Sequence, residues 1–320
     1  MDASDVENIG FQTPVLFIIF NRPSTTKLVF NQIKKVKPKK LFIAADGPRP
    51  GNLNDVVNCS KARKIVNEID WNCQVYTLFR DENLGCGRAV SSAINWFFKN
   101  VEEGIILEDD CLPDESFFAF CSLMLDKYRF DKQVMMISGT NFLFNKIENS
   151  NGYFFSKTYF AWGWATWRRA WNLYNFEIDD WNRQRDTKLG RLRKIFRHRD
   201  VVDYWCENFD KIVNKKIDTW DYQWCYSCIF NDGLSLNPIS NLISNIGLIG
   251  AHGSGKSIFL ELPTKKIDTS KILFLKNIEA NKNLEIITHK NIRIIKPFRY
   301  KLIIFFKKKI KRILSLIEII

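Results

Sequence analysis

The 320-residue chain is long enough for one large domain or two small ones, and 46% hydrophobic content with ten Trp excludes a chain too polar to bury a core. The net charge of +13 is unevenly placed: residues 286–317 carry ten Lys or Arg and no acid, so that with Glu318 the tail accounts for +9 of it. The rest of the chain is near charge balance, so a basic-surface partner belongs to the tail, and nucleic-acid binding is not expected.

In chain order, residues 15–20 (VLFIIF) read as a buried strand, and Ser24 as the cap of a helix running to about 35. Residues 41–45 form a second strand, ended by the loop Asp46-Gly-Pro-Arg-Pro-Gly51. A helix over 55–69 leads to a strand at 75–79, a helix over 87–99 to a strand at 105–107, and a helix over 117–128 to a strand at 134–137. Such alternation, with near-continuous apolar strands, predicts a parallel sheet covered by helices on both faces. Ligands of such sheets bind at the carboxyl ends of the strands. Asn21-Arg22, Asp46-Gly47, 80–83 and Glu108-Asp109-Asp110 all fall there. The second half is less regular: aromatic-dense over 153–174, charged and helical over 179–210, with a further helix opening at 219–224.

The run Gly104-Ile-Ile-Leu-Glu108-Asp109-Asp110 ends an apolar strand in three adjacent acids. Like charges side by side repel and need a cation or protons to neutralise them. Hard oxygen ligands suit Mg²⁺ or Mn²⁺, with phosphate oxygens completing the shell. The alternative is a solvated acidic loop. The eight Cys are scattered, and the Cys225-x-x-Cys228 pair reads as core thiols rather than a redox or metal pair.

Seven segments, in order over about 13–255, resemble nucleotide-sugar glycosyltransferases of the GT-A fold, in particular a bacterial group similar to N-acetylglucosaminyltransferase I. They are PVLFIIFNRP at 14–23, AADGPR at 44–49, DENLGCGRAV at 81–90, ILEDDCLP at 106–113, FAWGWATW at 160–167, TWDYQW at 219–224 and NPISN…GLIGAHG over 237–253. The resemblance implies an α/β fold with a Rossmann-like, mostly parallel central sheet, in one catalytic domain over 1–262. Its nucleotide-binding half covers about 13–140 and its acceptor half about 141–262; a basic, partly amphipathic tail follows over 263–320. It implies that Asn21, Arg22 and Asp46 hold base and ribose. Asn83 and Arg88 would belong to the donor site near Asp46 and the diphosphate, and Glu108 and Asp109 would contact sugar and ribose. Asp110 would ligate Mn²⁺ or Mg²⁺, Trp162, Gly163 and Trp164 would shape the sugar pocket, and His252 would close over the diphosphate. Asp221 falls where inverting relatives place their general base. Those relatives carry two adjacent acids there, whereas Tyr222 follows here, so Asp218 is the alternative.

The implied activity is a metal-dependent, inverting transfer of a hexose or N-acetylhexosamine from a UDP-sugar to a cell-surface glycan or glycolipid precursor. Two rival readings are a catalytically inactive sugar-nucleotide-binding module and an ATP- or GTP-binding P-loop. The second rests on Gly250-Ala-His-Gly-Ser-Gly255-Lys256-Ser257, which fits the P-loop pattern but is followed too closely by Pro263 for a long helix. In the tail, Phe306, Ile310, Ile313 and Ile317 line one helical face and Lys308, Lys311 and Arg312 another, a pattern suited to an anionic membrane surface. Residues 15–20 are too short an apolar run for a signal core or a membrane span. The expected place is therefore the cytoplasm, peripheral on the inner face of the membrane.

Overall fold

The computed structural model describes residues 11–144, 147, 151–247 and 259–296. Strand β1 (Val15–Ile19) is buried along its whole length. Helix α1 (Pro23–Val36) starts at Pro23, whose missing N–H costs nothing at the first helical position. Its cap is Arg22, through no side-chain hydrogen bond, and not the expected Ser24, because Pro23 already fixes the start. Strand β2 (Lys40–Ala45) and helix α2 (Leu53–Arg63) follow, with the Asn52 side chain accepting from the Asp55 N–H at the helix start. The helix expected over 55–69 tightens into a 3₁₀ turn at Lys64–Glu68, and Val56 and Val57 on it are exposed. Next come β3 (Gln74–Phe79), α3 (Gly85–Asn100), β4 (Glu103–Glu108), β5 (Cys111–Pro113), α4 (Glu115–Lys127) and β6 (Val134–Ser138).

In the second half, β7 (Tyr153–Ser156) and β8 (Trp164–Trp167) lead into helices α5 (Arg168–Trp171), α6 (Asp180–Arg183), α7 (Arg185–Ile195), α8 (Arg199–Val213) and α9 (Asp221–Phe230). Then come β9 (Leu234–Pro238) and β10 (Ile243–Asn245), which pairs with β5 apart from the main sheet. The main sheet has eight strands in the order β3-β2-β1-β4-β8-β6-β9-β7. Neighbours β3, β2, β1 and β4 run parallel, as do β6 and β9. The antiparallel β8 sits between β4 and β6. The fold is the expected α/β class with a Rossmann-like, mostly parallel sheet.

The side-chain alternation of β1 shows the two-sided burial directly. Leu16 and Ile18 join the core under α3 and the helices of the second half, whereas Val15, Phe17 and Ile19 join the core under α1 and α4. Strand β3 departs from expectation: it is a sheet edge, and most of its residues are exposed.

The expected tail boundary at 262 is not where packing ends. Ile267 and Ile272 enter one core and Ile294 and Ile295 the other. The Leu275 N–H donates to Tyr153 OH at 2.9 Å, and helix α10 (Lys282–Asn291) buries Glu285 and His289. The Lys- and Asn-rich composition of this stretch conceals single Ile anchors that fix it to the body. The amphipathic helix expected beyond 300, His252 and the P-loop-like 250–257 lie outside the described residues. Cys225 and Cys228 are buried in α9 and unpaired, as core thiols would be.

Candidate functional site

The ends of β1, β2, β3 and β4 surround a cleft of about 290 Å³ whose walls include Arg22, Asp46, Arg49, Arg80, Asn83 and Glu108. Glu108 and Asp109 line it, and Arg22 organises the acid triplet. One guanidinium nitrogen lies 2.7 Å from Asp109 and another 2.7 Å from Asp110. Asp109 is 2% exposed and also accepts from the Phe20 N–H at 3.0 Å. Arg22 is held above its ordinary pKa: burial works against its charge, but Asp109 and Asp110 more than offset that. Asp109 is pushed up to about 7 by burial, which Arg22 only partly opposes. Glu108 is pushed up to about 8, first by burial and then by Asp110 and Asp109. The counter-charge the triplet requires is therefore supplied in part by the chain itself.

Asp46, at the end of β2, accepts from the Leu84 N–H at 3.0 Å and from Asn83 Nδ2 at 2.9 Å. Burial raises its pKa against those hydrogen bonds. Asn83 also donates to the Gly47 carbonyl at 2.8 Å, so the loops after β2 and β3 are tied together at the rim. Asn21 is directed elsewhere: it donates to the buried Asp55 at 2.6 Å. Arg49 grips the same carboxylate and holds it down at about 2, and its guanidinium lies over the Phe20 ring at 5.8 Å. Asn21 thus braces α2 and is not part of the cleft wall. Arg88 is not either. It pairs with Glu177 at 3.0 Å and covers Phe176 at 4.8 Å. Gly85, Cys86, Ala89 and Val90 form the stripe of α3 that faces the cleft, and position 88 projects to its side.

A second cavity, of about 470 Å³, adjoins the first; Glu108 and Cys86 are in the walls of both. Its lining is aromatic and includes Trp162, Trp205 and Trp220, with Asp221 at the start of α9. The Asp221 carboxylate accepts from the Tyr222 N–H at 2.9 Å and from the Thr219 hydroxyl. It therefore sits in the first turn of its helix while lining the chamber. Asp218, the alternative base, is spent differently: it accepts from the Gly87 N–H at 3.0 Å at the start of α3. A Cβ at Gly87 would lie 2.6 Å from that carboxylate oxygen, so the approach requires glycine. Of the expected sugar-pocket residues only Trp162 lines the chamber. Trp164 is 1% exposed and stacks on Trp220 at 5.6 Å. Gly163 turns the chain at φ +60°, with Ile243 where a Cβ would stand.

Arg49 and Arg80 are cleft residues to which the sequence reading assigned no role. Their signal was position, since each follows the end of a strand. Among the described residues no group of three His, Cys, Asp or Glu is placed to hold a metal. A divalent ion here would have Asp110, 16% exposed, as its accessible carboxylate and would take its other oxygens from a bound ligand or water. That sparse set fits Mg²⁺, which usually binds through one or two carboxylates plus phosphates.

No family model and no curated protein matches this chain. Among solved structures it is similar to an inositol-1-phosphate CTP transferase from T. maritima, at 9% identity and TM-score 0.30, over 51% of this chain and 74% of that one. It is also similar to mouse xyloside xylosyltransferase 1 in its apo form, at 11% identity and TM-score 0.34, over 68% of this chain and 81% of that one. Likeness at this level carries no inference about activity.

Proposed function

We propose that the protein is a metal-dependent, inverting glycosyltransferase that moves a hexose or N-acetylhexosamine from a nucleoside-diphosphate donor, a UDP-sugar, to a glycan or glycolipid acceptor. One observation carries the reading: a cleft lined by three arginines, Glu108 and Asp109, with Asp110 paired to Arg22 beside them, adjoins at Glu108 an aromatic chamber holding Asp221. The cleft takes the nucleotide, with Asp46 and Asn83 at the base and ribose. Arg22, Arg49 and Arg80 offset the charge of the diphosphate as it leaves. Asp110 would hold Mn²⁺ or Mg²⁺, which when bound supplies Lewis-acid stabilisation of the diphosphate oxygens. Asp221 takes the proton from the acceptor hydroxyl as it attacks the anomeric carbon. The aromatic faces exclude water and grip the sugar rings. The basic tail would keep the enzyme at an anionic membrane, where such acceptors are assembled.

Thermal-shift screening tests this with nucleoside diphosphates, triphosphates and nucleotide sugars, each with and without Mn²⁺. A ligand present at 100 times its Kd stabilises by about 2.7 kcal/mol. The expected result is a shift with UDP or a UDP-sugar that grows with Mn²⁺. Shifts with ATP or GTP and none with any sugar nucleotide would overturn it in favour of the P-loop reading.

A further inference from the structure

The two adjoining cavities differ in the cations they offer. The nucleotide cleft sets Arg22, Arg49 and Arg80 among Asp46, Glu108, Asp109 and Asp218. The described residues lining the aromatic chamber include no Lys, Arg or His, and the ionisable acids among them are Glu108 and Asp221. An anion entering that chamber would leave water for a wall of rings with no cation among its described residues to pair with, beside at least one carboxylate. An uncharged ring bearing hydroxyls meets no such penalty. It can lay its C–H faces on Trp162 or Tyr222 and direct its hydroxyls to Asp221 and Thr219.

We infer that the aromatic chamber is the acceptor site and that it selects an electrically neutral sugar, rejecting uronic acids, sialic acids and phosphorylated sugars. This rests on the glycosyltransferase reading and adds the class of acceptor. The selection works by exclusion: the site withholds a counter-ion from the wrong ligand. At about 470 Å³ the chamber lies within the size range of small-molecule sites, so it accommodates a terminal sugar rather than a long chain segment.

The test is a titration of intrinsic tryptophan fluorescence in the full-length protein, since Trp162, Trp205 and Trp220 report from the chamber. The probes are matched pairs that differ at one carbon: methyl glucoside with methyl glucuronide, and methyl galactoside with methyl galacturonide. Methyl N-acetylglucosaminide and glucose 6-phosphate complete the set. UDP binding is measured on the same sample by calorimetry. The expected result is saturable binding of at least one neutral glycoside, with its acidic partner weaker by about tenfold or more. Ala161→Lys, which places a cation on the chamber wall, should narrow or invert the preference. Equal binding within a matched pair, preference for the acid, or no glycoside binding at all overturns the inference, whatever UDP does. Failure of UDP to bind instead strikes the nucleotide reading of the cleft, so the two failures are distinguishable.

Discussion

Replacing Arg22 with Met keeps most of the side-chain volume and removes the one guanidinium that bridges Asp109 and Asp110. Deleting one partner of a buried ion pair costs about 3–5 kcal/mol, and the 33% exposure of Arg22 places this case at the lower end, about 3 kcal/mol. That cost should depend on pH, with a sign fixed by the carboxyls left behind. Glu108 and Asp109 stand at about 8 and about 7 in the folded protein, above the ordinary range for an unfolded chain. A raised carboxyl is a stabilising group only while protonated, so it costs stability as pH rises from its unfolded value through its folded one. Arg22 lowers both, and losing it lifts them further. The deficit of Arg22→Met should therefore be largest near pH 8 and shrink towards pH 5, where about 1 kcal/mol remains for the lost hydrogen bonds. Urea unfolding of both proteins at the two pH values, read as a change in midpoint at constant slope, measures this. Equal destabilisation at both would refute the idea that Arg22 acts as the counter-charge of the triplet.

Asp110→Ala should leave the fold intact and remove the Mn²⁺ dependence of UDP binding; calorimetry with unchanged dependence would strip Asp110 of its metal role. Asp221→Asn keeps the shape and cannot accept a proton, so turnover should fall by about two to four orders of magnitude with donor affinity unchanged. His289 is 3% exposed, accepts or donates at 2.8 Å with the Thr158 hydroxyl, and is pushed down to about 4 mainly by burial. A depressed base holds its stabilising contribution above its unfolded pKa and loses it as pH falls through the folded one. Wild type should thus lose about 3 kcal/mol between pH 6.5 and 4 through this residue, and His289→Gln should flatten that slope in unfolding measurements. Cutting the chain after residue 296, beyond the core residues Ile294 and Ile295, should leave the melting temperature and UDP affinity in place. The cut should also abolish co-sedimentation with anionic vesicles, to which each Lys or Arg contributes about 1 kcal/mol; equal pelleting of both forms would remove the membrane assignment.

The first half was legible because its strands are continuous apolar runs and its helices carry clear stripes. Strands near 15, 41, 75, 105 and 134 form close to the expected positions. What failed were features decided by tertiary neighbours. Strand β8 was hidden because Trp162, Gly163 and Trp164 read as part of a sugar pocket in an aromatic-dense stretch, whereas Trp164–Trp167 inserts antiparallel between β4 and β6 and buries its rings. Arg88 follows glycines at a helix start, where an anion site is expected, but helical phase turns it towards Glu177. Asn21 and Arg49 converge on Asp55 from different loops, a contact no local pattern announces.

The acid triplet shows how a correct demand was met from an unexpected source. Three carboxylates at a strand tip require a cation or protons, and from sequence a divalent ion is the expected source. The partner is 88 residues away in the chain, at the end of the neighbouring parallel strand, where β1 and β4 bring Arg22 within 2.7 Å of Asp110. On the proposed reading this changes what the metal must do. An ion approaching the free protein would have to displace a guanidinium from Asp110, and would gain one accessible carboxylate in return. With a diphosphate bound, phosphate oxygens would supply further ligands to the ion and offer Arg22 a new partner, making the exchange more favourable. Metal and nucleotide binding would then be reciprocally coupled, each raising the affinity of the other by the same factor.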